Sequence, residues 1–212
     1  MTPTRQRLYL ITPPLDDTAA FAAEIDAALA AADIAAVLLR LADADERTLI
    51  DRVRAIAAVV QRRDVALLLD GHAELAARAG ADGAHLRGIE ALTAALATLK
   101  PDRIAGAGGL RSRHDAMLAA EAGADYVMFG EPYPGEEDRR PPLKETLERL
   151  EWSAELLQLP CVGYAGDTDE VTAVARTGAD FVALGAWLWN EPQGAAAAVA
   201  AAAQNLAAPV PR

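Results

Sequence analysis

The chain has one cysteine in 212 residues, Cys161, so no disulfide framework organises it. Between Pro160 and Val162, that cysteine reads as a small buried strand residue. Aromatic residues make up only 5%. No apolar run approaches the length that spans a bilayer, the alanine-rich C-terminal stretch included. The apolar run after Thr4-Arg-Gln-Arg7 is too brief for the core of a signal peptide, so a soluble cytoplasmic protein is expected. Cations are scarce as well. Twenty lysines and arginines face 31 aspartates and glutamates, a formal net charge of −11. That balance disfavours nucleic acid and anionic membranes as partners and gives an anionic substrate no long-range attraction. Any phosphate site has to be built locally. What the chain has in abundance is alanine, which favours helices and close packing of helix on sheet.

One phrase occurs three times. Gly80-Ala-Asp-Gly-Ala-His-Leu86, Gly123-Ala-Asp-Tyr-Val-Met-Phe-Gly130 and Gly178-Ala-Asp-Phe-Val-Ala-Leu-Gly185 each run from a glycine through Ala-Asp into a short apolar stretch. The glycine reads as a left-handed helix stop and the apolar stretch as a buried strand. Strands are expected at residues 8–12, 35–41, 65–70, 83–87, 103–109, 126–129, 160–165 and 181–185. Helices follow them, including 89–99 and 113–122, with caps offered by Asp16 to Thr18, Asp43 to Asp45 and Asp167 to Asp169. Nearly continuous apolar strands suit a parallel sheet covered by helices. Eight strand–helix units predict an α/β fold, a (β/α)8 TIM barrel forming a single domain over residues 1–212. An open doubly wound sheet is the alternative.

A barrel sorts its residues by face, with chemistry at the C-terminal ends of the strands and stability at the other. Asp82, Asp125 and Asp180 precede their strands and so belong to the stability face. Asp70 and Glu90, soon after strands three and four, are two carboxylates such as a hydrated Mg2+ accepts when a diphosphate supplies further oxygens. Capping of the following helices is the plainer reading of both. The loops after strands seven and eight are the usual phosphate site, and Gly166 and Gly185 would allow close backbone approach. Arg40, Arg87 and Gly108 are the further candidates for holding a phosphorylated substrate. His72 reads as a surface residue, whereas His85 lies inside a strand whose inward or outward direction stays open. His114, near the top of strand five, suits a general acid–base role. Trp187 and Trp189 are expected to pack the last helix onto the barrel.

Taken in order, Leu8-Tyr-Leu-Ile-Thr12, Arg40, the phrase from Gly80 to Leu86, Gly123-Ala-Asp-Tyr-Val127, Gly130 and residues 160–166 resemble the thiamine-phosphate synthase family and its relatives, the thiazole tautomerases. The resemblance implies a transferase that joins an aminopyrimidine-methyl diphosphate to a thiazole phosphate. In that family Mg2+ helps diphosphate depart, and the thiazole nitrogen captures the pyrimidine cation. Carried over by position, Arg40 would bind diphosphate, Asp70 would be one Mg2+ ligand, and Glu90 would stand where the family has a second acid. The implied partner is a phosphorylated small molecule, with homo-oligomerisation left open. There are departures. The family's Gln-x-Arg-x-Lys is Leu38-Leu-Arg-Leu-Ala42 here, and its Thr-x-Thr-Lys loop is Gly135-Glu-Glu-Asp138, which sets like charge against a diphosphate. The alternatives are an isomerase- or tautomerase-like reaction using His85 or His114, and a non-catalytic barrel that binds a metabolite or partner.

Overall fold

The computed structural model describes residues 6–132 and 139–207. Eight parallel strands close into a barrel in sequence order. They are β1 (Arg7–Ile11), β2 (Ile34–Leu39), β3 (Ala66–Asp70), β4 (Gly83–Arg87), β5 (Ile104–Gly108), β6 (Tyr126–Phe129), β7 (Cys161–Ala165) and β8 (Phe181–Leu184). The helices between and after them are α1 (Thr18–Ala31), α2 (Glu46–Val60), α3 (Ala73–Ala79), α4 (Ile89–Leu99), α5 (Arg113–Ala122), α6 (Leu143–Leu156), α7 (Glu170–Arg176) and α8 (Ala195–Ala207). Among the described residues no helix is long and apolar enough to cross a membrane.

Helix starts follow side-chain chemistry. Asp45 caps α2 by accepting from the Thr48 N–H at 3.0 Å, and α5 opens on a reciprocal capping box between Ser112 and Asp115. Along α2, Leu49, Ile50, Val53, Ile56, Ala57 and Val60 recur at helical spacing and are the residues it buries.

The strands are buried on both faces, and their two-residue period divides the apolar side chains into two cores. Leu10, Val37, Leu39, Leu67 and Leu69 face the helices. Tyr9, Ile11, Leu38, Leu68, Tyr126 and Met128 fill the barrel interior.

The recurring Gly-Ala-Asp phrase is a repeated joint. Gly80, Gly123 and Gly178 end their helices at φ of 82°, 106° and 86°. Each aspartate then grips one residue of the preceding strand at two points. Asp82 donates its N–H to the Leu67 carbonyl at 2.8 Å, and its carboxylate accepts from the Leu67 N–H at 2.7 Å. Asp125 does the same with Ala105 at 2.8 and 2.7 Å, and Asp180 with Cys161 at 3.0 and 2.8 Å. These bonds fix strand register at the N-terminal face, the scaffold role expected of them.

Trp187 and Trp189 pack against the core, as expected, but from outside the last helix. They lie in a short 3-10 turn of their own, Ala186–Asn190, ahead of α8. Their indole N–H groups donate to the carbonyls of Ala165 and Ile11 at 2.9 and 2.8 Å, tying the turn to the ends of β7 and β1. Those carbonyls end their strands and need donors, which the two indoles supply.

Candidate functional site

The site starts from side chains that β5 does not have. Gly106 and Gly108 pair in register with His85 and Arg87 of β4. A Cβ on Gly106 would run into the Tyr126 ring, and one on Gly108 into Glu131 and His85. With those positions bare, groups from β4 and from the end of β6 meet across β5.

What meets there is a chain of hydrogen bonds along the barrel interior. Tyr9 and Tyr126 share a bond between their hydroxyls at 3.0 Å, and the Tyr126 hydroxyl lies 2.9 Å from His85 Nδ1. On the other side of the ring, His85 Nε2 lies 3.2 and 3.3 Å from the two Glu131 oxygens. Glu131 also accepts the Gly109 N–H at 2.5 Å. His85 is 0% exposed and Glu131 4%. Burial pushes the Glu131 carboxyl up, but the His85 charge and hydrogen bond, helped by Arg87 and the Gly109 N–H, outweigh it and hold the group below its ordinary value. Burial drives both tyrosine hydroxyls well above theirs, so they stay protonated. With Glu131 ionised, Nε2 donates to it, and the Tyr126 hydroxyl bridges Nδ1 and the Tyr9 hydroxyl. Sequence reasoning left the direction of His85 open, and the structure turns it inward.

A second set of groups adjoins the first. Asp70, the last residue of β3, lies 2.7 Å from Arg87 Nη2 and 3.2 Å from Arg40 Nε. Arg87 Nε is in turn 3.9 Å from Glu131. Arg40 is steadied through its backbone, whose N–H donates to the buried Thr12 hydroxyl at 2.9 Å. Arg40, Arg87 and Glu131 all line a cavity of about 330 Å3, whose apolar walls include Leu38 and Trp187. Cationic and anionic groups therefore face one space at the C-terminal ends of the strands.

The other expected positions are less directly engaged. The Gly166 N–H donates to Glu170 at 2.7 Å, and Glu170 is also paired with Arg140, which lies against Gly166. At Gly185 the missing side chain leaves room for the Tyr164 ring. Glu90 and His114 are exposed in the first turns of α4 and α5. Gly135-Glu-Glu-Asp138 lies outside the described residues.

The donor set decides what metal the site could take. Among the described residues, no group of three or more His, Cys, Asp or Glu side chains could hold an ion by itself. Asp70 is one largely buried carboxylate among guanidinia. That does not suit a resident ion. It does fit Mg2+ carried in with a diphosphate, because such an ion takes one or two protein carboxylates and keeps water and phosphate oxygens for the rest.

The family model described as thiamine monophosphate synthase matches residues 8–187. A thiamine-phosphate synthase of Rhodospirillum centenum is 43% identical over 196 residues, covering 92% of this chain and 94% of that protein. One of Hyphomonas neptunium is 40% identical over 205 residues, covering 93% and 92%. Among solved structures, a thiamine phosphate pyrophosphorylase from Pyrococcus furiosus superposes with a TM-score of 0.79 at 22% identity, over 98% of both chains. A 3-hexulose-6-phosphate synthase superposes at 0.72 with 18% identity, over 94% of this chain and 99% of the other. At those identities the structures speak for the barrel alone.

Proposed function

The chain belongs to the thiamine monophosphate synthase family, and on that premise we propose that it is a transferase that joins an aminopyrimidine-methyl diphosphate to a thiazole phosphate with release of diphosphate. The observation that carries the reading is the pair of guanidinia, Arg40 and Arg87, bridged by Asp70 beside one cavity in an otherwise acidic protein.

Arg40 and Arg87 bind the diphosphate and neutralise the charge that builds up on it as it leaves. They hold Asp70 beforehand, so they are aimed before the substrate arrives and need little rearrangement. Asp70, with Glu90 as a second carboxylate, would hold the Mg2+ that accompanies the diphosphate. The ion would supply further charge neutralisation there. The backbone around Gly166 and Gly185 is the proposed seat of the thiazole phosphate, with Arg140 and Glu170 beside it. Leu38 and Trp187 keep the reacting carbon in an apolar, poorly hydrated space. His114 is assigned no step in this reaction. Both substrates are soluble phosphorylated molecules, which agrees with work in the cytoplasm.

Complementation tests the reading. In a strain that requires thiamine because its own synthase is deleted, the gene is expected to restore growth, and Asp70→Ala is expected to abolish it. Failure of the unaltered gene to support growth, with soluble protein present, would overturn the assignment.

A further inference from the structure

The cavity wall carries charge of both signs. The Arg40 and Arg87 guanidinia and the Glu131 carboxylate all line it, with Arg87 Nε 3.9 Å from Glu131. Glu131 starts no helix and caps none, since it lies in the loop that follows β6. Its partners, His85 Nε2, the Gly109 N–H and, at 3.9 Å, Arg87 Nε, come from β4 and the end of β5. A carboxylate kept only for structure would be closed off on every side by such partners. Glu131 keeps a cavity face instead, beside the apolar Leu38. In a space with few competing dipoles, a fixed negative charge acts strongly on any positive charge that forms nearby.

We propose that Glu131 is a catalytic residue that stabilises the positive charge developing on the aminopyrimidine as diphosphate leaves, and that His85 is the residue that positions it. The inference rests on the transferase reading above. In the step concerned, the bond between the pyrimidine methylene carbon and the diphosphate oxygen breaks, and its electron pair leaves with the diphosphate towards Arg40 and Arg87. The methylene carbon and its conjugated ring are left positive, facing Glu131. The thiazole nitrogen then gives its lone pair to form the carbon–nitrogen bond, and the positive charge passes to the thiazolium. No oxidant or reductant takes part, and Glu131 remains ionised throughout. A site for ionising a neutral carbon centre needs a cationic end for the leaving anion and an anionic end for the cation left behind. This cavity has both.

The test is Glu131→Gln, which keeps the shape and can still accept the Gly109 N–H. Turnover is expected to fall about 100-fold while KM for both substrates stays close to the parent's and the variant remains folded at the assay temperature. His85→Gln is expected to lose turnover through the misplaced carboxylate, and the double variant to be no slower than Glu131→Gln alone. A binding experiment read by calorimetry needs no turnover. In the presence of inorganic pyrophosphate, the parent is expected to bind the aminomethyl analogue of the pyrimidine, a cation, about tenfold more tightly than the neutral hydroxymethyl analogue. Glu131→Gln is expected to lose that preference. If turnover is intact and Glu131→Gln matches the parent in kcat, or keeps its preference for the cation, this inference alone is overturned. If the parent neither binds pyrophosphate nor turns over, the transferase reading falls and takes this inference with it.

Discussion

Nε2 of His85 lies 3.2 Å from a Glu131 oxygen, and neither side chain is more than 4% exposed. A buried carboxylate in that position depends on its donors. His85→Phe fills the volume but leaves Glu131 short of its main partner, and is expected to cost about 3–5 kcal/mol in urea unfolding. Replacing both residues by apolar ones, as in His85→Phe with Glu131→Leu, is expected to cost less than His85→Phe alone, because no stranded charge remains. If the double variant is the less stable of the two, the pair is not coupled as described.

The same pair sets an acid dependence. Glu131 is held below its ordinary value of 4.5 in the folded protein. As pH falls through that ordinary value, the unfolded chain takes up the proton first, so it binds more protons than the folded one and stability drops. The contribution is full above 4.5 and is lost as pH falls through the lower folded value. The melting-temperature gap between the parent and Glu131→Gln is therefore expected to be widest near neutrality and to shrink as the pH is lowered below 4.5. A gap that stays constant in thermal melts across that range would contradict the assignment.

Two glycines separate site from scaffold. Gly108→Ala puts a methyl group where Glu131 and His85 meet. It is expected to cost about 1–3 kcal/mol by overpacking and to impair turnover, since the pair must move apart. Gly123→Ala meets open space but sits at a φ of 106°. It is expected to cost about 1–2 kcal/mol through backbone strain alone, leaving kcat unchanged. Steady-state kinetics alongside denaturant unfolding checks both, and equal losses of turnover would refute the distinction.

The barrel was largely legible in the sequence. The bounds expected for β4, α4, α5 and β6 coincide with those observed, because each is framed by a strong local signal such as the left-handed Gly123 or the cap at Ser112. The cationic part of the site was legible too. Arg40, Asp70 and Arg87 were recognisable as strand-end residues once the strands were placed. Which of them touch was not, since Arg87 reaches Asp70 from the neighbouring strand, 17 residues away in sequence. The direction of His85 was hidden for a physical reason. A strand buried on both faces shows no polar–apolar alternation, so its inward positions carry no mark. The bare glycines of β5 were a usable signal. Gly108 reads from the sequence as a candidate for holding a phosphorylated substrate, whereas Gly106 and Gly108 are small because Tyr126, His85 and Glu131 occupy the space beside them. Trp187 and Trp189 were read as packing groups, and their role as donors to the ends of β7 and β1 depends on a turn that no periodicity announces.

The most direct measurement is turnover of aminopyrimidine-methyl diphosphate and thiazole phosphate by the purified protein with Mg2+, following diphosphate and thiamine phosphate together. Both products are expected in equal amounts, with kcat/KM reduced at least about tenfold in Arg40→Ala and in Arg87→Ala while the melting temperature is retained. No thiamine phosphate from the folded parent protein, or a rate indifferent to both arginines, would contradict a transferase organised around the Arg40–Asp70–Arg87 cluster.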